Sequence, residues 1–167
     1  TRARLPWLLI GLFGGLAGAY VIGVFDIERF PSMALFIPLI AAMGGNVGVQ
    51  SAAIVVQGLA AGRNPTDARL MPRLLKEFSV ALLNGAICSA IILGASLALG
   101  YGWNLSVTVS LALIAVIIFA ALFGTFVPLT LDRFKIDPAL ATGPFITTAN
   151  DIIGLIIYFG IGMVMFA

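Results

Sequence analysis

The sequence contains no histidine and only one cysteine, Cys88, among its 167 residues. A single cysteine cannot form a disulfide within the chain, and without histidine or a second thiol we expect no zinc or iron–sulfur site. Charged residues are equally scarce. They make up 10% of the chain, whereas soluble domains carry roughly 25%. This shortage of charge excludes an ordinary soluble domain, and a net charge of +2 gives no sign of nucleic-acid binding.

Apolar sequence is abundant, with 61% hydrophobic residues and a mean hydropathy of +1.14. A helix needs about 20 apolar residues to cross a bilayer. Five apolar runs are separated by charges, and we predict that each spans the lipid bilayer. They cover residues 6–25, 31–61, 78–99, 105–131 and 138–167. The predicted fold is therefore all-α, with residues 1–167 forming one polytopic transmembrane domain.

Basic residues predict the orientation of these spans, because cytoplasmic loops are enriched in lysine and arginine. If the chain alternates across the membrane, only Arg29 falls on one side. The basic residues on the other side are Arg2, Arg4, Arg63, Arg69, Arg73, Lys76, Arg133 and Lys135. The amino terminus is therefore predicted to be cytoplasmic and the carboxyl terminus to lie outside.

The second and fifth spans are longer than a straight crossing requires, and both contain residues that interrupt helices. The second contains Pro38 and the glycine-rich run 44–48, and the fifth contains Gly143-Pro144. Interrupted helices are tolerated in a membrane where they line a cavity or pack on protein. The other three spans are expected to face lipid or to act as scaffold, and residues 63–76 are expected to form a cytoplasmic connector that includes a short interfacial helix.

Asp151 is the only charged residue in the run from Ala139 to Ala167. A carboxylate at bilayer depth costs roughly 2.5 kcal/mol or more, and such residues usually mark an ion or substrate path. Thr147 and Gly154 lie one turn to either side of Asp151, so the three residues share one helical face. The sequence therefore predicts a polar stripe on the fifth span.

A second polar stripe runs along the second span. Asn46, Gln50 and Gln57 follow one another at steps of four and seven residues, which also places them on one helical face. The two interrupted spans are thus the two that carry polar faces. We therefore predict that these spans line a pathway together.

Structural roles stay open for several of these residues. Amides of the second span could form hydrogen bonds between helices, and Asp151 could be a protonated or hydrogen-bonded buried acid. Asp137 precedes Pro138 and fits a helix cap. Glu77 lies next to Lys76 and fits a surface ion pair.

The donor atoms of the stripes favour a hard cation. Carboxylate, amide and hydroxyl oxygens suit Mg²⁺, Ca²⁺ or Na⁺. One carboxylate makes a thin site, whereas a path on the two-fold axis of a homodimer would present Asp151 twice. Two such carboxylates repel each other unless a cation lies between them, so a divalent ion fits this arrangement.

Two stretches of the sequence resemble signatures of the MgtE family of magnesium channels and transporters. Residues 38–51, PLIAAMGGNVGVQS, followed by GLAAG at 58–62, resemble the second-helix signature of that family. DPA at 137–139 and GPFITTANDIIGL at 143–155 resemble its fifth-helix signature. The resemblance extends over essentially the whole chain in the number and order of spans.

The resemblance implies roles for individual residues. Asp151 matches the pore carboxylate that recognises hydrated Mg²⁺, Thr147 the position whose carbonyl faces the ion, and Asp137 the acid at the cytoplasmic mouth. Beyond the resemblance, Glu77 is predicted to be a second acid at that mouth. The polar stripes and the resemblance together predict the pore-lining residues Gly44, Gly45, Asn46, Gln50, Gly143, Thr148, Asn150 and Gly154. The family forms homodimers with the pore between subunits.

The combined prediction is a multi-pass protein of the plasma membrane, with a prokaryotic inner membrane favoured, that moves Mg²⁺ and other divalent cations. A Na⁺-coupled Mg²⁺ exchanger is the alternative, as in eukaryotic solute-carrier relatives. An intramembrane enzyme would need a second catalytic group at membrane depth, and a structural subunit would leave Asp151 unexplained, so neither is favoured. The cytoplasmic amino-terminal and CBS domains usual in the family are not expected in this chain.

Overall fold

The computed structural model describes residues 5–25, 31–61, 70–141 and 143–166. These residues form six α-helices and one short 3-10 helix, with no strand among them. The helices are α1 (Leu5–Val24), α2 (Pro31–Ala34), α3 (Ile37–Ala60), α4 (Leu70–Ala98), α5 (Trp103–Arg133), the 3-10 helix Pro138–Ala141 and α6 (Pro144–Phe166). The predicted all-α fold is confirmed. Arg2, Arg4, Arg29, Arg63 and Arg69, on which the predicted orientation partly depends, lie outside the described residues.

Five segments of the described chain are long and apolar enough to cross a membrane. They are Leu5–Val24, Pro31–Ala60, Met71–Ala98, Trp103–Arg133 and Pro144–Phe166. The predicted number and order of spans are therefore confirmed. A chain with five such helices is a multi-pass membrane protein.

Contacts between helices establish their relative directions. Gly44 lies beside Asn150 and Gly48 beside Ile146, so α3 and α6 run antiparallel. Contacts of the same kind make α5 parallel to α3 and α4 antiparallel to α5. One end of the bundle therefore holds the carboxyl ends of α3 and α5 and the amino ends of α4 and α6. We call it the basic end, because it carries Arg73, Lys76, Arg133 and Lys135.

The central helix of the bundle is α5, which packs against α3, α4 and α6. Val109, Val116, Ile117 and Ala120 on this helix are almost completely buried. The sequence left two roles for this span, facing lipid or acting as scaffold, and the structure selects the scaffold. Periodicity could not distinguish them, because a lipid-facing surface and a protein-facing surface are equally apolar in a membrane.

The glycine-rich run 44–48 does not interrupt its span, so this prediction was wrong. Helix α3 is continuous from Ile37 to Ala60, and the break in the span falls earlier, at Leu35 and Phe36 between α2 and α3. Pro38 occupies the first turn of α3, where a missing N–H has no helical partner to lose. The glycines serve close packing instead, because helices in membranes approach most closely at residues without side chains.

The predicted break in the fifth span is confirmed. The 3-10 helix ends at Ala141, and Gly143 adopts a positive φ of 79°. Pro144 then begins α6. Since a left-handed backbone conformation favours glycine, Gly143 allows the chain to change direction where α6 starts.

Helix α4 begins eight residues before the predicted third span, at Leu70 rather than Phe78. The helix contains Pro72, which is tolerated because it lies in the first turn. A helix is thus present within residues 63–76, as expected, but it is the start of α4 and not a separate short helix. The consequence for the site is that Arg73 and Glu77 occupy one face of α4, one turn apart.

The end of the bundle opposite the basic end is closed by α2. The buried hydroxyl of Tyr158 on α6 donates a hydrogen bond of 2.8 Å to the carbonyl oxygen of Met33. The Met33 side chain lies directly over Gly162, one turn further along α6. These contacts attach α2 to α6. The space between α3 and α6 lies nearer the middle of both helices.

Candidate functional site

A cavity of about 320 Å³ lies between α3 and α6. It is lined from α3 by Ala41, Ala42, Gly45, Asn46, Val49 and Gln50, and from α6 by Thr147 and Asp151. Five of the residues predicted to form a site are therefore brought together around one space. They are Gly45, Asn46, Gln50, Thr147 and Asp151.

Helical geometry explains why these residues share the cavity. Ala42, Asn46 and Gln50 follow one another at steps of four, as do Thr147 and Asp151, and residues four apart lie on the same side of a helix. The two stripes face each other because α3 and α6 are antiparallel neighbours. Gln57, predicted to continue the stripe on α3, is exposed and does not line the cavity.

Gly45 sets the distance between the Asp151 carboxylate and α3. A Cβ atom on Gly45 would lie 3.4 Å from Asp151 Oδ1 and 3.2 Å from Thr147 Cγ2. The carboxylate therefore lies so close to the backbone of α3 that even a methyl group at position 45 would touch it. Asp151 is half-buried, whereas Asn46 and Gln50 are exposed in the single chain, so the cavity opens beside the carboxylate.

The cavity offers only oxygen and nitrogen donors of the carboxylate, carboxamide and hydroxyl kind. Thr147 Oγ1 donates a hydrogen bond to the Gly143 carbonyl oxygen at 3.2 Å. The lone pairs of this hydroxyl oxygen can still accept a hydrogen bond. Among the described residues, no three acidic, cysteine or histidine side chains cluster as a metal site would require. Asp151 is therefore the single carboxylate among the residues that line this cavity.

Four of the predicted pore-lining residues lie outside this cavity. The Thr148 side chain packs directly on Gly14 of α1, and Asn150 is buried against Gly44 and Gly48 of α3. Gly154 lies against Val116 of α5, as does Gly44. These residues make helix contacts, and the walls of the cavity do not include them.

Asn150 is an unusual member of that contact. Its side chain is 1% exposed, and neither its amide nitrogen nor its oxygen has a hydrogen-bond partner among the described residues. Buried polar groups are normally paired. Its packing against the glycines of α3 is clear, but the structure contains no group that explains the unpaired amide.

Asp137 and Gly143 precede α6 on either side of the 3-10 helix, toward the basic end. Asp137 Oδ1 accepts a hydrogen bond of 2.9 Å from the backbone N–H of Ala139, so the residue caps the 3-10 helix that begins at Pro138. Its carboxylate is otherwise exposed and does not line the cavity. The capping role raised by the sequence is therefore present in the structure.

Glu77 also lies outside the cavity. Its Oε1 accepts a hydrogen bond of 2.7 Å from the hydroxyl of Ser51 on α3. Ser51 is buried and directly follows the cavity residue Gln50. The sequence gives no sign of this pairing, because Ser51 and Glu77 are 26 residues apart and belong to different spans.

A larger groove of about 400 Å³ between α4 and α5 is not a candidate ion site. Its lining is wholly apolar, consisting of Leu74, Leu75, Phe78, Phe119, Leu122, Phe123 and Phe126. A cation leaving water would find no oxygen ligand there. The smaller cavity between α3 and α6 is therefore the candidate functional site.

Sequence analysis also missed the apolar part of this cavity's lining. Ala41, Ala42 and Val49 complete its wall. A signal for Ala42 was present, since it lies one turn before Asn46 on the same stripe. Small side chains there leave space that larger ones would fill.

Comparison with known proteins identifies the family to which this chain belongs. The family model described as MgtE, "Divalent cation transporter", matches residues 37–161, which include α3, most of α6 and every residue that lines the cavity. The chain belongs to the MgtE family. Its match begins at the first residue of α3, so both signatures recognised in the sequence fall inside it.

Curated MgtE proteins are similar over nearly the whole of this chain. The magnesium transporter MgtE of Bacillus subtilis is 38% identical over 161 residues, which cover 95% of this chain and 35% of the relative. MgtE of Enterococcus faecalis is 34% identical, and MgtE of Thermus thermophilus is 32% identical over 98% of this chain. The chain thus spans about a third of the length of the curated MgtE proteins it matches.

Proposed function

We propose that this chain moves Mg²⁺ across the membrane along a path lined by α3 and α6, at the interface of a homodimer. The observation that carries the proposal is that the Asp151 carboxylate lines a cavity together with Asn46 and Gln50. The relatives named magnesium transporters support Mg²⁺ as the transported ion. No catalysis is part of the proposal.

Hydrated Mg²⁺ suits this cavity better than a bare ion does. Mg²⁺ gives up its water reluctantly and is commonly held through one or two carboxylates. Six waters occupy roughly 180 Å³ at about 30 Å³ each, which is less than the cavity volume of about 320 Å³. Asp151 would attract the ion through its water shell, while Thr147, Asn46 and Gln50 would bind the outer waters.

A second copy of the chain would complete the site. Each protomer supplies one carboxylate, and its amides at positions 46 and 50 are exposed along the open side of the cavity. A two-fold axis beside that opening would bring two Asp151 carboxylates toward one divalent ion, which would relieve their mutual repulsion.

The basic end would face the cytoplasm, because lysine and arginine are enriched on that side of a membrane protein. Asp137 lies near this end as an exposed carboxylate. In the proposed path it would raise the local cation concentration at the inner mouth, in addition to capping the 3-10 helix. The plasma membrane is the proposed location.

The test is Mg²⁺ entry into liposomes that contain the purified protein and an internal Mg²⁺ indicator. We expect uptake down a Mg²⁺ gradient that liposomes without protein do not show. The measurement is repeated with an imposed Na⁺ gradient of either direction. Uptake that requires Na⁺ would replace the channel with an exchanger, and uptake equal to that of empty liposomes would refute the proposal.

The proposed dimer predicts a specific cross-link. In a Cys88→Ser background, Asn46→Cys should form a covalent dimer with a short bifunctional thiol cross-linker, because the two copies of residue 46 would face each other across a path wide enough for a hydrated ion. Leu83→Cys is the matched control, since Leu83 is 63% exposed on α4, away from the cavity. Equal dimer yields from the two variants on a denaturing gel would argue against a two-fold axis at the cavity.

Gly45→Ala is expected to lower Mg²⁺ flux by roughly fivefold, equivalent to about 1 kcal/mol, while the protein stays folded. The added methyl would contact Thr147 Cγ2 at 3.2 Å and Asp151 Oδ1 at 3.4 Å, so it would narrow the cavity without a severe clash. The control is Gly94→Ala, where no atom lies within 4 Å of the new methyl. Identical flux in these two variants would show that the space beside Asp151 is not on the path.

A further inference from the structure

Two polar residues on one face of α4 reach across to α3 near the basic end. Glu77 accepts the hydrogen bond of 2.7 Å from Ser51. Arg73 lies one turn earlier on α4, with its Nη2 atom 3.8 Å from the position of a Cβ on Gly58. Because α3 and α4 run antiparallel here, residue 77 lies beside residue 51 and residue 73 beside residue 58. We call this line of approach between α3 and α4 the seam.

The seam is a polar connection between α3, which lines the cavity, and α4. Along its length α4 packs on α5, where Ser89 donates a hydrogen bond to the Ser110 carbonyl oxygen and Gly85 lies beside Ile114. Within the described residues, Ser51 to Glu77 is the only side-chain hydrogen bond that joins α3 to α4. Arg73 adds a cation beside the last turn of α3, where the helix dipole favours positive charge.

Ser51 is well placed to control the direction of the cavity side chains on α3. It directly follows Gln50, and successive helical residues point about 100° apart. Gln50 faces the cavity while Ser51, 6% exposed, faces α4. A hydrogen bond that holds Ser51 therefore also resists rotation of α3, which would turn Asn46 and Gln50 away from Asp151.

We propose that Glu77 is a positioning residue that acts through Ser51 to hold Asn46 and Gln50 of α3 opposite Asp151. The inference rests on the proposed function for its effect on flux, but not for its effect on the rotation of α3. It differs from the role suggested by the sequence, in which the charge of Glu77 attracts cations at the inner mouth. A positioning role requires an acceptor oxygen at residue 77, whereas an attracting role requires a negative charge.

Glutamine at position 77 separates the two roles, because its carboxamide oxygen accepts a hydrogen bond but carries no charge. In the liposome assay we expect Glu77→Gln to retain flux within about twofold of the natural protein. Ser51→Ala and Glu77→Leu should each lose about tenfold, the equivalent of one hydrogen bond to a charged group. The double variant should lose no more than Glu77→Leu alone, since both changes remove the same bond.

A second measurement reports the rotation of α3 without any transport. Gln50→Cys in a Cys88→Ser background places a thiol in the cavity, and its rate of modification by a small water-soluble reagent is followed. Adding Ser51→Ala should change this rate by at least about threefold, as expected when a single hydrogen bond is lost, and adding Glu77→Gln should leave it unchanged. Ser51→Ala removes one hydroxyl, so it provides a readout even if Glu77→Leu does not fold.

The outcomes separate the two proposals. Loss of flux in Glu77→Gln equal to that in Glu77→Leu, with an unchanged thiol rate in Ser51→Ala, would overturn the positioning role and favour attraction by charge. An altered thiol rate in Ser51→Ala alone would support positioning even if the natural protein carried no Mg²⁺, in which case only the proposed function fails. An unchanged rate together with full flux in Ser51→Ala would overturn the inference.

Discussion

Replacing Asp151 with asparagine should lower Mg²⁺ flux by at least about tenfold, equivalent to about 1.4 kcal/mol or more. The substitution keeps the size and shape of the side chain. Its Oδ1 atom therefore stays beside Gly45, 3.4 Å from where a Cβ on that glycine would lie. Only the charge is lost. Attraction between a carboxylate and each unit of ion charge about 4 Å away is on the order of 4 kcal/mol near a protein surface, and a homodimer would lose it twice.

The measurement is initial Mg²⁺ uptake by liposomes at matched protein content, with gel filtration to show that the variant keeps its oligomeric state. Asp137→Asn is the matched control, because this equally conservative substitution removes the charge of an exposed carboxylate outside the cavity. We expect that control to lose less than about threefold, since exposed charges are screened by salt. Equal losses in both variants would mean that general attraction, rather than a site at Asp151, governs the flux.

Stability should depend most strongly on two glycines where α3 meets its neighbours. Gly124→Ala would place a methyl group into the carbonyl oxygen of Gly48, with the carbonyl carbon only 3.0 Å away. Gly48→Ala would overlap the Asn150 amide nitrogen and lie 2.9 Å from Ile146 Cγ2. Overpacking usually costs about 1–3 kcal/mol, and we expect at least the upper value for Gly124→Ala because backbone cannot rotate out of the way.

The effect is measured as the midpoint of thermal unfolding in detergent. Unfolding is monitored by the loss of the monodisperse gel-filtration peak with increasing temperature. Gly15→Ala and Gly94→Ala are the controls, since neither new methyl would have an atom within 4 Å. Combining Gly48→Ala with Asn150→Ala should recover part of the stability, because the clashing amide is then absent. Gly124→Ala should gain nothing from the same change. Wild-type stability in Gly124→Ala would show that α3 and α5 are not in such close contact.

The same glycines show how far sequence reasoning could go. In the sequence, the run 44–48 predicts a helix break, whereas in the structure it lies within a continuous helix and serves close packing. Glycine has two common roles in membrane helices, a flexible break and a point of close approach, and its own helix does not distinguish them. The difference lies in the neighbours, since Asn150 and Gly124 press on this segment from two other helices.

The polar residues of α6 make the same point about the site. Thr147 and Thr148 are chemically identical and adjacent, yet Thr147 lines the cavity and Thr148 packs on Gly14 of α1. The two residues point about 100° apart on the helix. The helical period alone groups Thr147 with Asp151. It does not place Thr148 and Asn150 outside the cavity, because that requires knowing where α1 and α3 lie.

By itself, the sequence determined the all-α class, the five apolar spans, the break at Gly143 and Pro144, and the two polar stripes. These properties follow from composition and from the helical period, which act over a few residues. Tertiary structure alone decided that α5 is central, that Glu77 pairs with Ser51, and that Asn150 is buried. The physical reason is that each helix has several apolar or small-residue faces, and in a membrane only contact with another helix determines which of them is covered.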